Sequence, residues 1–174
     1  MNIKEILMED DIVKSINNNL EELLLLIPEI KYMIGFEHKH PHHHLDVWEH
    51  TLLSLSNSPK DFEIRLCLLL HDIGKPFSYV DGPIRHFPNH PIVSAQIASR
   101  VLHRLGADNN FIDEVCYLIS MHDTAITKEE INSNYTLAYK RYKIQICDAL
   151  AHHPLKLEKK IKYLEKTKKL LTDI

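Results

Sequence analysis

Glycine, tryptophan and long apolar runs are what this sequence has least of. Its 174 residues include 4 glycines and 1 tryptophan, and no stretch alternates apolar and polar residues for long. Sheets depend on that alternation and hairpins on glycine, so a β architecture is disfavoured. Apolar residues instead recur at spacings of three and four almost everywhere, which predicts an all-α protein. No apolar run approaches the roughly 20 residues needed to span a bilayer; the stretch Leu23 to Pro28 is far shorter. A large excess of charge of one sign is also missing: the formal net charge is −3, with a pI near 6.5. No global basic field therefore attracts nucleic acid. Three cysteines, Cys67, Cys116 and Cys147, lie far apart in apolar helical patterns. An odd count with no signal peptide predicts free thiols and a cytoplasmic protein. The length suits a single domain over 1–174 with a real core.

Histidine is what the chain has in excess, with 13 of them. Five lie between Glu37 and Leu45. That stretch reads as a loop, either solvated or forming a wall or lid of a pocket, with His43 or His44 closest to the next helix. The periodicity predicts helices over 3–17, 19–27, 46–55 and 60–72, with Ser58 as N-cap of the last. Gly74 supplies a C-terminal stop, and a loop runs over 73–89. Pro91 opens a helix through Leu105. Further helices are predicted over 110–122, 127–131 and 135–151, with a basic amphipathic one over 157–171 after a break at Pro154.

The most informative stretch is His71-Asp72-Ile73-Gly74-Lys75. It ends the apolar run Leu66 to Leu70. A His and an Asp at a buried helix end are costly unless something pairs with them. A metal ion is the simplest partner, because imidazole nitrogen and carboxylate oxygen are both ligands of first-row metals. His50, His90, the pair His122-Asp123, and Asp148 are the further candidates. Asp148 stands in the apolar segment Ile144 to Ala151, where an unpaired carboxylate would be expensive. Asp46 lies one turn before His50 and is the natural carboxylate to orient it.

Taken in order, Trp48-Glu49-His50-Thr51, His71-Asp72-Ile73-Gly74-Lys75 and Asp148-Ala149-Leu150 resemble the HD-domain metal-dependent phosphohydrolases. The resemblance covers about 36–152, leaving flanking N- and C-terminal helices. It implies a helical bundle with a metal site between helices. His50, His71, Asp72 and Asp148 would hold one divalent ion, and Asp72 would bridge to a second held by His90 and His122. The stretch His42 to Leu52 is most similar to the HD domain of some bacterial tRNA nucleotidyltransferases. Asp123 stands where cyclic-dinucleotide phosphodiesterases of this family place a second histidine, so those substrates are not implied.

The implied activity is hydrolysis of a phosphate mono- or diester, a nucleotide above all, by a metal-activated hydroxide. The metal is Mn, Fe, Ni, Co, Zn or Mg, as one ion or two. Asp72, Lys75 and Asp123 are the candidate catalytic residues. Lys75 is placed to reach a phosphate as a point charge, Arg85 to grip one bidentately, and His44 to line the pocket. Asp123 is open to three roles: metal ligand, orienting partner of an imidazole, or general acid. The alternative is a regulatory module that binds metal and nucleotide without turnover. The lysines of the C-terminal helix read as a solvated face that also admits RNA as a partner. Tyr135, Tyr139 and Tyr142 are expected in the core, and His103, His152 and His153 at the surface.

Overall fold

The computed structural model describes residues 2–172. Among these there are ten α-helices and no strand; two isolated bridges, Glu37 with Asp46 and Val80 with His86, are the only pairing of extended chain. The all-α expectation holds. Among the described residues no helix is long and apolar enough to cross a membrane.

The predicted helix over 3–17 is two: α1 (Ile3–Leu7) and α2 (Ile12–Asn18). Asp11 restarts the chain by accepting from the Lys14 amide. Arg65 explains why the break is stable. Its Nη1 donates to the carbonyls of Leu7 and Glu9, taking up acceptors that a continuous helix would have used internally. Then come α3 (Leu20–Leu26) and a short 3-10 turn at Pro28–Tyr32.

Helix α4 (Val47–Ser56) begins with a capping box between Asp46 and Glu49. Helix α5 (Phe62–Leu70) is the centre of the bundle: every residue from Ile64 to Leu70 is buried. Its N-cap is Asp61, not Ser58. The Ser58 hydroxyl instead donates to Leu55 and accepts from Arg65 Nε. Helices α6 (His90–Arg104) and α7 (Asn109–Ser120) form a hairpin that turns at Gly106, whose φ is +74°. Short α8 (Lys128–Ser133) leads into α9 (Tyr135–Leu150), and α10 (Pro154–Thr172) folds back on α9. Pro154 starts α10 rather than separating it from α9, because the first turn of a helix needs no N–H from it. A small second core of Ile131, Tyr142, Leu164 and Leu171 joins these last helices.

Gly74 serves a different purpose from the one its position suggests. Its φ is −81°, so it is not a left-handed helix stop. A Cβ there would lie 2.5 Å from the Ser94 nitrogen and 2.8 Å from the His90 carbonyl oxygen. Glycine lets the loop after α5 press against the start of α6, and the Gly74 amide donates to Ser94 Oγ at 2.9 Å. That contact brings His90 next to Asp72.

Candidate metal centre

Five elements converge on one buried point. His50 comes from the middle of α4, His71 and Asp72 from the end of α5, and His90 from the first residue of α6. His122 and Asp123 follow the end of α7, and Asp148 lies near the end of α9. All the sequence-predicted metal residues are thus brought together.

The four histidines share one arrangement. Nδ1 faces a main-chain carbonyl in each: Ala151 for His50 (3.2 Å), Leu68 for His71 (2.7 Å), Phe87 for His90 (3.1 Å) and Ile119 for His122 (2.7 Å). Carbonyl oxygens only accept, so Nδ1 carries the hydrogen and each Nε2, in a neutral ring, presents a lone pair. All four Nε2 atoms point inward at carboxylates. His71 Nε2 lies 3.4 Å from both Asp72 Oδ2 and Asp148 Oδ1. His50 Nε2 lies 2.7 Å from Asp148 Oδ1 and 3.6 Å from Asp72 Oδ2. On the other side, His90 and His122 approach Asp72 Oδ1 at 3.3 and 3.8 Å. Asp72 therefore turns one oxygen to each pair of imidazoles.

This packing of lone pairs is unfavourable unless cations lie among them. His90 and His122 bring their Nε2 atoms within 3.3 Å of each other. His71 Nε2 and Asp72 Oδ1 are buried without a hydrogen-bond partner. Buried polar atoms are rarely left so without a reason. Three nitrogen and carboxylate sets are close enough to hold an ion: His50, His71 and Asp72; Asp72, His90 and His122; and His50, Asp148 and His152. The donor chemistry suits a divalent first-row metal.

The charges agree. Burial works against ionising Asp72, but His71, Lys75 and His90 hold its carboxyl well below the usual range. Burial likewise opposes Asp148, and Lys160, His50 and His71 outweigh it. His71 resists its own burial because of the two carboxylates, which raise its pKa to about 9. His122 goes the other way: burial lowers it despite Asp123.

Lys75 is nearly fully buried, with Nζ donating to Asp72 Oδ2 at 2.7 Å and to His38 Nε2 at 3.1 Å. His38 is kept neutral by burial, its pKa lowered to about 2. Its ring stacks on His43 at 3.8 Å, and His43 meets His50 edge-on at 5.0 Å. The histidine loop is therefore partly a wall of the centre. His43 is the residue that reaches it; His44 is exposed and pairs with His153 on the outer side.

The expectations for Asp46, Tyr135, Tyr139 and His152 need correcting, and the surroundings of Arg85 and Asp123 are now defined. Asp46 does not touch the His50 side chain, because its carboxylate caps α4 and accepts from Gly35. Arg85 is occupied by Asp81 and the Glu37 carbonyl, between the rings of Phe36 and Tyr79. It lines the cleft but chiefly ties the 79–87 loop to the 36–37 segment. Asp123 stands half-exposed at the mouth, 3.4 Å from His90 and 3.5 Å from His122. Tyr135 and Tyr139 are exposed and stacked on each other; only Tyr142 enters the core. His152 is buried, not at the surface. Its Nδ1 meets the Asp148 carbonyl at 2.8 Å, and its Nε2 accepts from Lys160 Nζ at 2.8 Å. The one signal for His152 was its position a helical turn after Asp148. Nothing in the sequence singled out Lys160. Above this centre opens a cleft of about 280 Å³ whose rim includes His43, Lys75, Arg85, His86 and Lys160.

The family model of the HD domain matches residues 42–171. The chain belongs to the HD domain family. The match takes in α10 as well as the helices around the centre. HD domains bind divalent metals, and the family points to the superfamily of metal-dependent phosphohydrolases. This HD domain is 32% identical over 112 residues to a CC-adding tRNA nucleotidyltransferase of Thermus thermophilus. It is 30% identical over 106 residues to an A-adding tRNA nucleotidyltransferase of Deinococcus radiodurans. The alignments cover 59% and 56% of this chain but 25% and 24% of the relatives. The chain thus spans about a quarter of the length of the curated relatives it matches.

Proposed function

We propose that this chain is a metal-dependent phosphohydrolase that cleaves a phosphate mono- or diester, with a nucleotide as the favoured substrate class. The observation that carries this reading is the pair of orphaned buried atoms, His71 Nε2 and Asp72 Oδ1, under a cleft rimmed by cations. Buried polar atoms are seldom left unpaired, and a cluster that served packing alone would gain nothing from leaving these two so beneath a cleft.

One or two ions would be held by His50, His71, Asp72 and Asp148, and by Asp72, His90 and His122. Such ions supply Lewis-acid polarisation of a phosphate oxygen and a lower pKa for water. The chain's own residues do the rest. Lys75 offers a buried point charge to a phosphate oxygen, held in place by His38. His43 and Phe87 wall that side of the cleft. Asp123, between bulk water and two imidazoles, is placed to pass a proton to the leaving oxygen or to orient His90 and His122. The relatives' names mention tRNA and nucleotide addition, which supports a nucleotide here.

The test is hydrolysis of aryl phosphates by metal-depleted protein with Mn, Fe, Ni, Co, Zn or Mg restored singly, beside Asp72→Ala. Activity that returns with metal and is absent from the variant supports the proposal. A folded, metal-binding protein with no turnover rejects it in favour of the regulatory module.

A further inference from the structure

Beside the cleft over the metal centre lies a second, smaller cavity of about 70 Å³, and the two share His122, Asp123, Asp148 and Lys160 in their walls. Its far wall is formed by Thr124, Ala125, Gln145, Tyr163 and Leu164. The two arms meet at the candidate centre, with Lys75 on one side and Lys160 at the junction. Lys160 Nζ stands 3.9 Å from Asp148 Oδ2.

A phosphate that carries only one substituent needs one arm. The second arm has the character of a ring-binding pocket. Tyr163 presents about half of its surface to solvent, and Leu164 and Ala125 add apolar wall. Gln145 is 8% exposed, and its Nε2 donates to the Thr124 carbonyl at 2.7 Å. That bond orients the amide and leaves Oε1 as an acceptor with no protein donor among the described residues. An aromatic face beside a fixed amide oxygen suits a flat heterocycle with an N–H edge.

We infer that the pocket between the 122–125 loop, α9 and α10 binds a nucleoside on one side of the scissile phosphate, so that the substrate is a phosphodiester with groups on both sides. This rests on the phosphohydrolase reading. The reaction consumes one water: its oxygen bonds to phosphorus, the bond from phosphorus to the leaving oxygen breaks, and the products are a nucleoside monophosphate and an alcohol. One water proton ends on the alcohol and the other is released to the medium.

The experiment compares two substrates with the same leaving group, p-nitrophenyl phosphate and the p-nitrophenyl ester of thymidine 5′-phosphate. The metal-restored protein should favour the diester in kcat/KM. Tyr163→Ala should lower the diester-to-monoester ratio about tenfold, the size of one lost base–aromatic contact, and Tyr163→Phe should restore it. Turnover of the monoester with no diester preference, or a ratio unmoved by Tyr163→Ala, would overturn the inference while leaving the phosphohydrolase intact. Absence of turnover with any metal would sink the phosphohydrolase reading instead. Calorimetric binding of the thymidine ester to metal-depleted protein then decides the pocket: weakening by Tyr163→Ala supports it, and no binding or no weakening overturns it.

Discussion

The two halves of the centre are built differently. His50, His71 and Asp148 stand on or directly after helices that pack in the main core, and none is more than 6% exposed. His90, His122 and Asp123 stand at the start of one helix and just past the end of another; His122 is buried, but His90 is partly exposed and Asp123 half-exposed at the mouth. Between them Asp72 gives one oxygen to each half. Rigidity on the inner side and access on the outer side are what a site needs if one ion is to stay and the other is to meet substrate. The comparison also teaches that a glycine and a buried arginine, neither with metal chemistry, hold the outer half in place. Gly74 sets His90. Arg141, 1% exposed, donates to the carbonyls of Met121, Thr124 and Ala125 and so holds the loop carrying His122 and Asp123.

The strongest way to break the comparison is Asp72→Ala, which removes the residue common to both halves. Activity should fall by about a thousandfold or more, and metal analysis should show both ions weakened. If one ion stays at full affinity, Asp72 does not serve both halves. Removing one half at a time comes next. His122→Ala should cost the outer ion, taking bound metal from two equivalents towards one, whereas His71→Ala should cost the inner ion and thermal stability too. Equal losses from both would mean the halves are not distinct.

Gly74→Ala should destabilise by about 1–3 kcal/mol, because the added methyl collides with backbone of α6 that has little freedom to move. Chemical denaturation measures this, and metal analysis should find the outer ion weakened more than the inner. Smaller again is a pH effect confined to metal-depleted protein. The pKa of His71 is raised from 6.5 to about 9 by the carboxylates of the inner half, so its contribution is fully present below 6.5 and is lost as pH rises through 9. Melting temperature of metal-depleted protein should decline over that window, and His71→Asn should flatten the decline. His122, with its pKa lowered, adds nothing of that sign.

Much of this was legible in the sequence where the signal is local. His71-Asp72 at the end of an apolar run, Pro91 opening α6 and Asp148 in an apolar segment each report their own environment within a turn or two. The errors fall where the environment is distant. Ser58 looked like the cap of α5, but Arg65 draws it elsewhere and Asp61 caps instead. Arg85 does line the cleft, but that the rings of Phe36 and Tyr79 close around it is equally a long-range outcome. Tyr135 and Tyr139 have helical spacing, yet spacing does not say which face of α9 the bundle covers.

By itself the sequence determined that the chain is helical and offered most of the side chains able to hold metal, His152 excepted, because periodicity and residue chemistry are properties of short segments. Only the tertiary structure decided that four Nδ1 atoms find carbonyls, that both oxygens of Asp72 are shared out, and that α10 brings Lys160 beside the centre and Tyr163 to the adjoining cavity. Those outcomes depend on the relative rotation of helices whose residues lie up to 101 positions apart, as between His50 and Ala151. Packing of side chains sets that rotation, and no short stretch of chain encodes it.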